Sequence, residues 1–89
     1  MLMVFNKERL VFDARDLIPG FNTSIVNLPI SIEVKYFDGV APCGLALEVQ
    51  KNEIEKIERI MNEHGIHIHS LFEVNKNDQE YKRIKSYWD

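Results

Sequence analysis

Between Asn52 and Val74 the apolar positions change period once. Ile54, Ile57, Ile60 and Met61 recur at the spacing that lines one side of a helix. Ile66, Ile68, Phe72 and Val74 then fall at the even spacings of a strand. Asn52 is placed to cap the helix, with Glu55 reaching back to form a capping box. Glu55 and Arg59 are spaced to pair across one turn. Gly65 supplies the left-handed residue at which the helix ends. A helix followed by an alternating strand is the clearest unit of the chain.

Upstream, the pattern predicts strands. Leu2–Phe5 and Leu10–Asp13 are short β-prone runs, and Asn6-Lys7-Glu8-Arg9 between them can turn, so a hairpin is expected. Pro19-Gly20 punctuates the loop that follows. Val26, Leu28, Ile30, Ile32, Val34 and Tyr36 then occupy every second position, which predicts a strand with one buried face. Pro29 lacks an N–H, so that strand should start after it, bulge there or lie at an edge. Leu45, Leu47 and Val49 resume the alternation beyond a loop at Phe37–Gly44, and a hairpin across that loop is expected. At the other end, Asp78 is placed to cap a short last helix with Tyr81, Ile84 and Trp88 on one side.

The predicted order is β-β-β-β-α-β-α. It gives an α+β fold: a small, mostly antiparallel sheet of about five strands, with one main helix and a short C-terminal helix on one face. The helix–glycine–strand step at Asn52–Val74 resembles ferredoxin-like and ACT-type small domains in its packing. The predicted order of elements departs from both.

Composition narrows the picture. At 89 residues, 45% hydrophobic and 28% charged, residues 1–89 are expected to form one soluble domain. Dimerisation is a natural way for so small a domain to add burial. The net charge of −3 argues against general affinity for nucleic acid or an anionic membrane. Cys43 is the single cysteine, so no internal disulfide can form, which fits a reducing compartment. The N-terminal MLMVF run is too short for a signal-peptide core, and no stretch spans a membrane, so the expected location is the cytoplasm. Abundant Ile, Lys, Asn and Glu suit an AT-rich genome, bacterial or phage.

Few residues suggest chemistry. His67 and His69, two apart on a strand, should point the same way, and Glu73 continues that face. Two imidazoles and a carboxylate, with His64 nearby, are ligand types that suit zinc or another divalent metal. The simpler reading is a polar outer face opposite Ile and Phe. The same pair can act as a pH sensor, since histidine titrates near neutrality. Cys43, in a predicted loop, is a nucleophile candidate only if a base lies beside it; otherwise it is a small half-buried residue. Glu53, Glu55, Glu58 and Glu63 read as the solvated side of the helix. The four glycines are scattered singly and make no phosphate-binding loop.

The C-terminal segment Tyr81–Trp88 mixes cations and aromatic rings. Such a mixture can anchor a protein interface or stack single-stranded nucleic acid. The acidic balance of the chain favours the protein. The sequence therefore leads to a non-enzymatic protein-binding or regulatory module of inhibitor or adaptor type. It is expected to be homodimeric, without a cofactor, and to bind its partner through Lys82, Arg83, Tyr87 and Trp88. An exposed edge strand offers a route to a symmetric dimer. A metal-binding protein using His67, His69 and Glu73 is the first alternative. Binding of single-stranded nucleic acid by the C-terminal segment is the second.

Overall fold

The computed structural model describes residues 1–75, 77 and 80–87. These form one five-stranded antiparallel sheet with three α-helices, so the chain is α+β. In chain order the elements are β1 (Leu2–Phe5), α1 (Glu8–Leu17), β2 (Ser24–Asn27), α2 (Ile30–Phe37), β3 (Leu45–Glu48), α3 (Ile54–Glu63), β4 (Ile68–Asn75) and β5 (Glu80–Ser86). A single 3-10 turn, Lys51–Glu53, leads into α3. The sheet order is β2-β3-β1-β4-β5. No helix among the described residues is long and apolar enough to cross a membrane.

β1 lies at the centre, antiparallel to both β3 and β4. β3 and β4 therefore run parallel with β1 between them, joined through α3. In the same way β1 and β2 run parallel on either side of β3, joined through α1. Two interleaved split β-α-β units of this kind have ferredoxin-like connectivity. Here α2 is inserted in the β2–β3 connection, and β5 is added beyond β4. The predicted order differs from this one at three segments.

The first is Leu10–Asp13, which is helical. Its apolar residues continue to Ala14 and Ile18, and Val11, Ala14 and Ile18 are all buried at helical spacing. Four residues were too few to reveal that period. The second is the alternating run Val26–Tyr36. β2 ends at Asn27, and α2 starts after Pro29, whose carbonyl accepts from Ile32 N–H. An unbroken period of two also contains residues four apart. Leu28, Ile32 and Tyr36 form such a series and face the sheet, whereas Ile30 and Val34 form the complementary series and face outward. The third is the C-terminal segment, which is strand β5 and not a helix. Its ladder against β4 supplies the hydrogen bonds that a short helix would have made internally. Trp88 and Asp78, both used in the helix prediction, lie outside the described residues.

The helix–glycine–strand unit is present with two corrections. Asn52 sits inside the 3-10 turn, and no side chain caps α3. Glu55 and Arg59 form none of the observed ion pairs. The stop itself is a Schellman motif. Gly65, at φ +71°, donates to the Asn62 carbonyl, and Ile66 N–H donates to the Met61 carbonyl.

Two cores flank the sheet. On one face α1 and α3 bury Val11, Ala14, Ile57 and Met61 against Met3, Phe5, Leu47 and Leu71. On the other, α2 buries Ile32 against Leu2, Val4, Ala46 and Phe72. Helices thus lie on both faces, not on one as the sequence had implied.

The two series on α2 predict different costs. Ile32→Ala should destabilise the fold by about 2–5 kcal/mol, and Ile30→Ala by less than about 0.5 kcal/mol. Urea unfolding measures both, and equal losses would mean that the two residues share a buried face.

Candidate interaction surface

β5 is held from both faces. On the α3 side Glu58 is the hub: Lys85 Nζ donates to Glu58 Oε2 at 2.6 Å, and the Tyr87 hydroxyl donates to the same oxygen at 2.7 Å. The Lys85 ammonium also lies 4.7 Å from the centre of the Tyr87 ring. Partial burial alone would raise the Glu58 carboxyl, but the two hydrogen bonds and the Lys85 charge outweigh it and hold the pKa below the usual value. Burial and the adjacent carboxylate both push the Tyr87 phenol well above its ordinary pKa.

On the α2 side Tyr36 is the hub. Its hydroxyl donates to the Tyr81 carbonyl at 3.1 Å and accepts from Arg83 N–H at 3.4 Å. Its ring meets Phe72 edge-on at 4.9 Å, with the Arg83 guanidinium 5.6 Å from the ring centre. Such cation–ring contacts contribute about 0.5–1 kcal/mol at exposed sites.

The predicted binding residues are thereby divided between two faces. Arg83 belongs to the α2 side. Lys82, opposite Glu73 in register, faces the α3 side and lines an open cleft of about 780 Å³ with Met1, Lys51 and Ile84. Tyr87 is half-buried and tied to Glu58. Trp88 lies outside the described residues. The rings of Tyr81 and Tyr87 pack against the two cores, so neither stands free as a platform for stacking bases.

The histidines are separated from Glu73 by a β-bulge. β1 residues Val4 and Phe5 pair with Ser70 and Ile68, which leaves His69 as the extra residue. The bulge reverses the alternation, so Ile68 joins Leu71 on the α3 side and Ser70 joins Phe72 on the α2 side. His69 turns toward α2, with its ring 5.5 Å from that of Phe37 and its Nδ1 3.1 Å from the buried Ser70 hydroxyl. His67 is exposed and lines an open cleft of about 480 Å³ with Glu58, Arg59 and Tyr87. Glu73 faces α3 and pairs with Lys51 at 3.1 Å. Among the described residues no group of three His, Cys, Asp or Glu is arranged to hold a metal ion. Burial, reinforced by the positive charges of Arg83 and His67, lowers the His69 pKa.

Cys43 lies in the loop between α2 and β3. Its side chain is buried in the α1/α3 core, and its sulfur accepts from Leu45 N–H at 3.4 Å.

The surface that sequence reasoning missed is the outer side of α2. Ile30 is 74% exposed and Val34 is 64% exposed; Val40, in the loop after the helix, is 81% exposed. The signal was present in the alternating run, but a strand reading sends all of its apolar residues inward. No family model, curated protein or solved structure matches the chain.

The pKa directions set a pH dependence. For His69, the unfolded chain takes up its proton first as the pH falls through about 6.5, so stability is lost below that value. For Glu58 the loss comes lower, through the carboxylate range. For Tyr87 the folded state keeps its proton longer, so stability is lost as the pH rises above about 10. Thermal midpoints across pH should show that His69→Gln flattens the decline between about pH 7 and 5. A wild-type midpoint that stays level over that range would contradict the assignment. Tyr87→Phe should cost about 1 kcal/mol at neutral pH and reduce the alkaline loss.

Proposed function

We propose that this protein is a non-enzymatic protein-binding module of the inhibitor or adaptor kind, homodimeric, acting in a reducing cytoplasm. Its contact surface is the outer side of α2 with the loop behind it. The observation that carries the reading is the grouping of exposed apolar side chains. Ile30, Val34 and Val40 lie within eleven residues of chain, whereas the other large exposed hydrophobics among the described residues, Phe12 and Ile84, are on separate elements. Covering each would contribute about 1.5–3 kcal/mol, and neighbouring apolar groups left in water mark a contact surface.

The surroundings suit that use. Glu33, Lys35 and Asp38 give the patch a charged rim, the usual anatomy of a non-obligate interface. Arg83 lies over the Tyr36 ring, so one of the sequence-derived binding residues shares the α2 side of the sheet. The folded partner expected here presents an apolar patch ringed by polar groups. The lone thiol, buried and reduced, supports the cytoplasmic assignment.

The test joins capture with a defined pair. A partner recovered from the producing cells is purified, and its affinity is measured for the wild type and for the Ile30→Asp, Val34→Asp double variant. Both positions are exposed, so circular dichroism should be unchanged. Affinity should fall at least about tenfold, the equivalent of 1.4 kcal/mol. Equal affinity for the two forms would remove α2 from the interface.

A further inference from the structure

We infer that two copies of this chain join through β2, antiparallel across a twofold axis, so that their sheets become one. The inference rests on the homodimeric reading above and specifies which edge makes the contact.

The sheet has two edges, β2 and β5, and they differ in how they are guarded. β5 carries Lys82, Arg83 and Lys85 and is bulged, since Leu71 and Phe72 pair with Lys85 and Arg83 and leave Ile84 extra. Tyr36 also takes a carbonyl and an N–H from the same side of β5. Charges and bulges of this kind discourage strand addition. A twofold axis beside β5 would also bring its cations close to their own copies.

β2 has none of these guards. Ser24-Ile25-Val26-Asn27 pairs with β3 in unbroken register and carries no charge. It lies in a stretch, Leu17–Ile32, that contains no charged residue in a chain that is 28% charged. Pro29 stands two residues beyond the strand and removes no donor from it. An uncharged edge can meet its own copy without repulsion, which a self-complementary contact requires.

The geometry also serves the α2 surface. Antiparallel pairing by symmetry needs the axis to stand normal to the sheet, and such an axis keeps each face on its own side. Both α2 helices then share one face of a ten-stranded sheet, twice the five of one copy. α2 begins three residues after β2 ends, so the exposed Ile30 of each copy starts near the joined edge.

Light scattering on the eluting full-length protein reads the mass, and hydrogen exchange reads the edge. The wild type should be a dimer. Ser24→Lys with Asn27→Lys, both at exposed positions, should be a monomer with unchanged far-ultraviolet circular dichroism. In the wild type, amides of β2 should exchange more slowly as concentration rises from low to high micromolar, and those of β5 should not. If the lysine variant fails to fold, the exchange result decides by itself. A wild type that is monomeric throughout, a dimer that survives both lysines, or protection at β5 instead of β2 would each overturn the inference. A dimer that survives the lysines but is broken by Ile30→Asp with Val34→Asp would overturn the β2 contact and leave the α2 reading standing. A monomer that still binds a partner through α2 would do the same.

Discussion

Leu2, Met3, Val4 and Phe5 are consecutive and all buried, each at most 4% exposed. A strand can bury successive side chains only if both faces of its sheet are covered. That requirement on β1 organises the molecule. Met3 and Phe5 need one cover, which α1 and α3 supply together as the crossovers of the two split units. Leu2 and Val4 need another, and neither crossover can reach them. The link between β2 and β3 meets that need, with Leu28 ahead of α2 and Ile32 and Tyr36 on it. An eight-residue helix covers the face with one side only, so Ile30 and Val34 are left in water. The exposed apolar stripe is a consequence of covering β1 with a short helix of alternating sequence.

β5 is held by the same logic. Its two sides bind to the elements that cover the two faces: Tyr36 of α2 takes its backbone, and Glu58 of α3 takes Lys85 and Tyr87. Each hub satisfies its polar groups within the fold. Burial and then the Glu58 carboxylate raise the Tyr87 pKa, while the Lys85 and Tyr87 contacts lower that of Glu58 against its burial. Burial also comes first for His69, since the bulge in β4 turns that ring toward Phe37.

Much of this was legible in the chain. The α+β class, a mostly antiparallel sheet, β1, β3, β4 and the glycine that ends α3 all follow from local patterns; the count of five strands agrees only because the strand expected at Leu10–Asp13 offsets the unexpected β5. The errors have specific causes. Leu10–Asp13 was too short a window to separate two periods. The run from Val26 to Tyr36 satisfied both periods at once, and only the tertiary need to cover Leu2 and Val4 decides for a helix after Pro29. The C-terminal segment has helical spacing at Tyr81 and Ile84, but the open edge of β4 recruits it as a strand. The bulge at His69 leaves no mark in the sequence. Without it, His67, His69 and Glu73 share a face; with it, they part. The outer surface of α2 was hidden for the same reason, because its residues were counted as core.

The cover of β1 and the exposed stripe both depend on residues 30–37 forming a helix whose Ile30 and Val34 side chains remain outside the core. Nuclear magnetic resonance of the labelled protein at low concentration, with a soluble paramagnetic probe, tests it most directly. Helical carbon shifts across Ile30–Phe37, strong broadening of the Ile30 and Val34 methyl signals, and protection of the Ile32 methyls are expected. Extended shifts with all three residues equally protected would contradict it, since the run would then be a buried strand and the proposed contact surface would not exist.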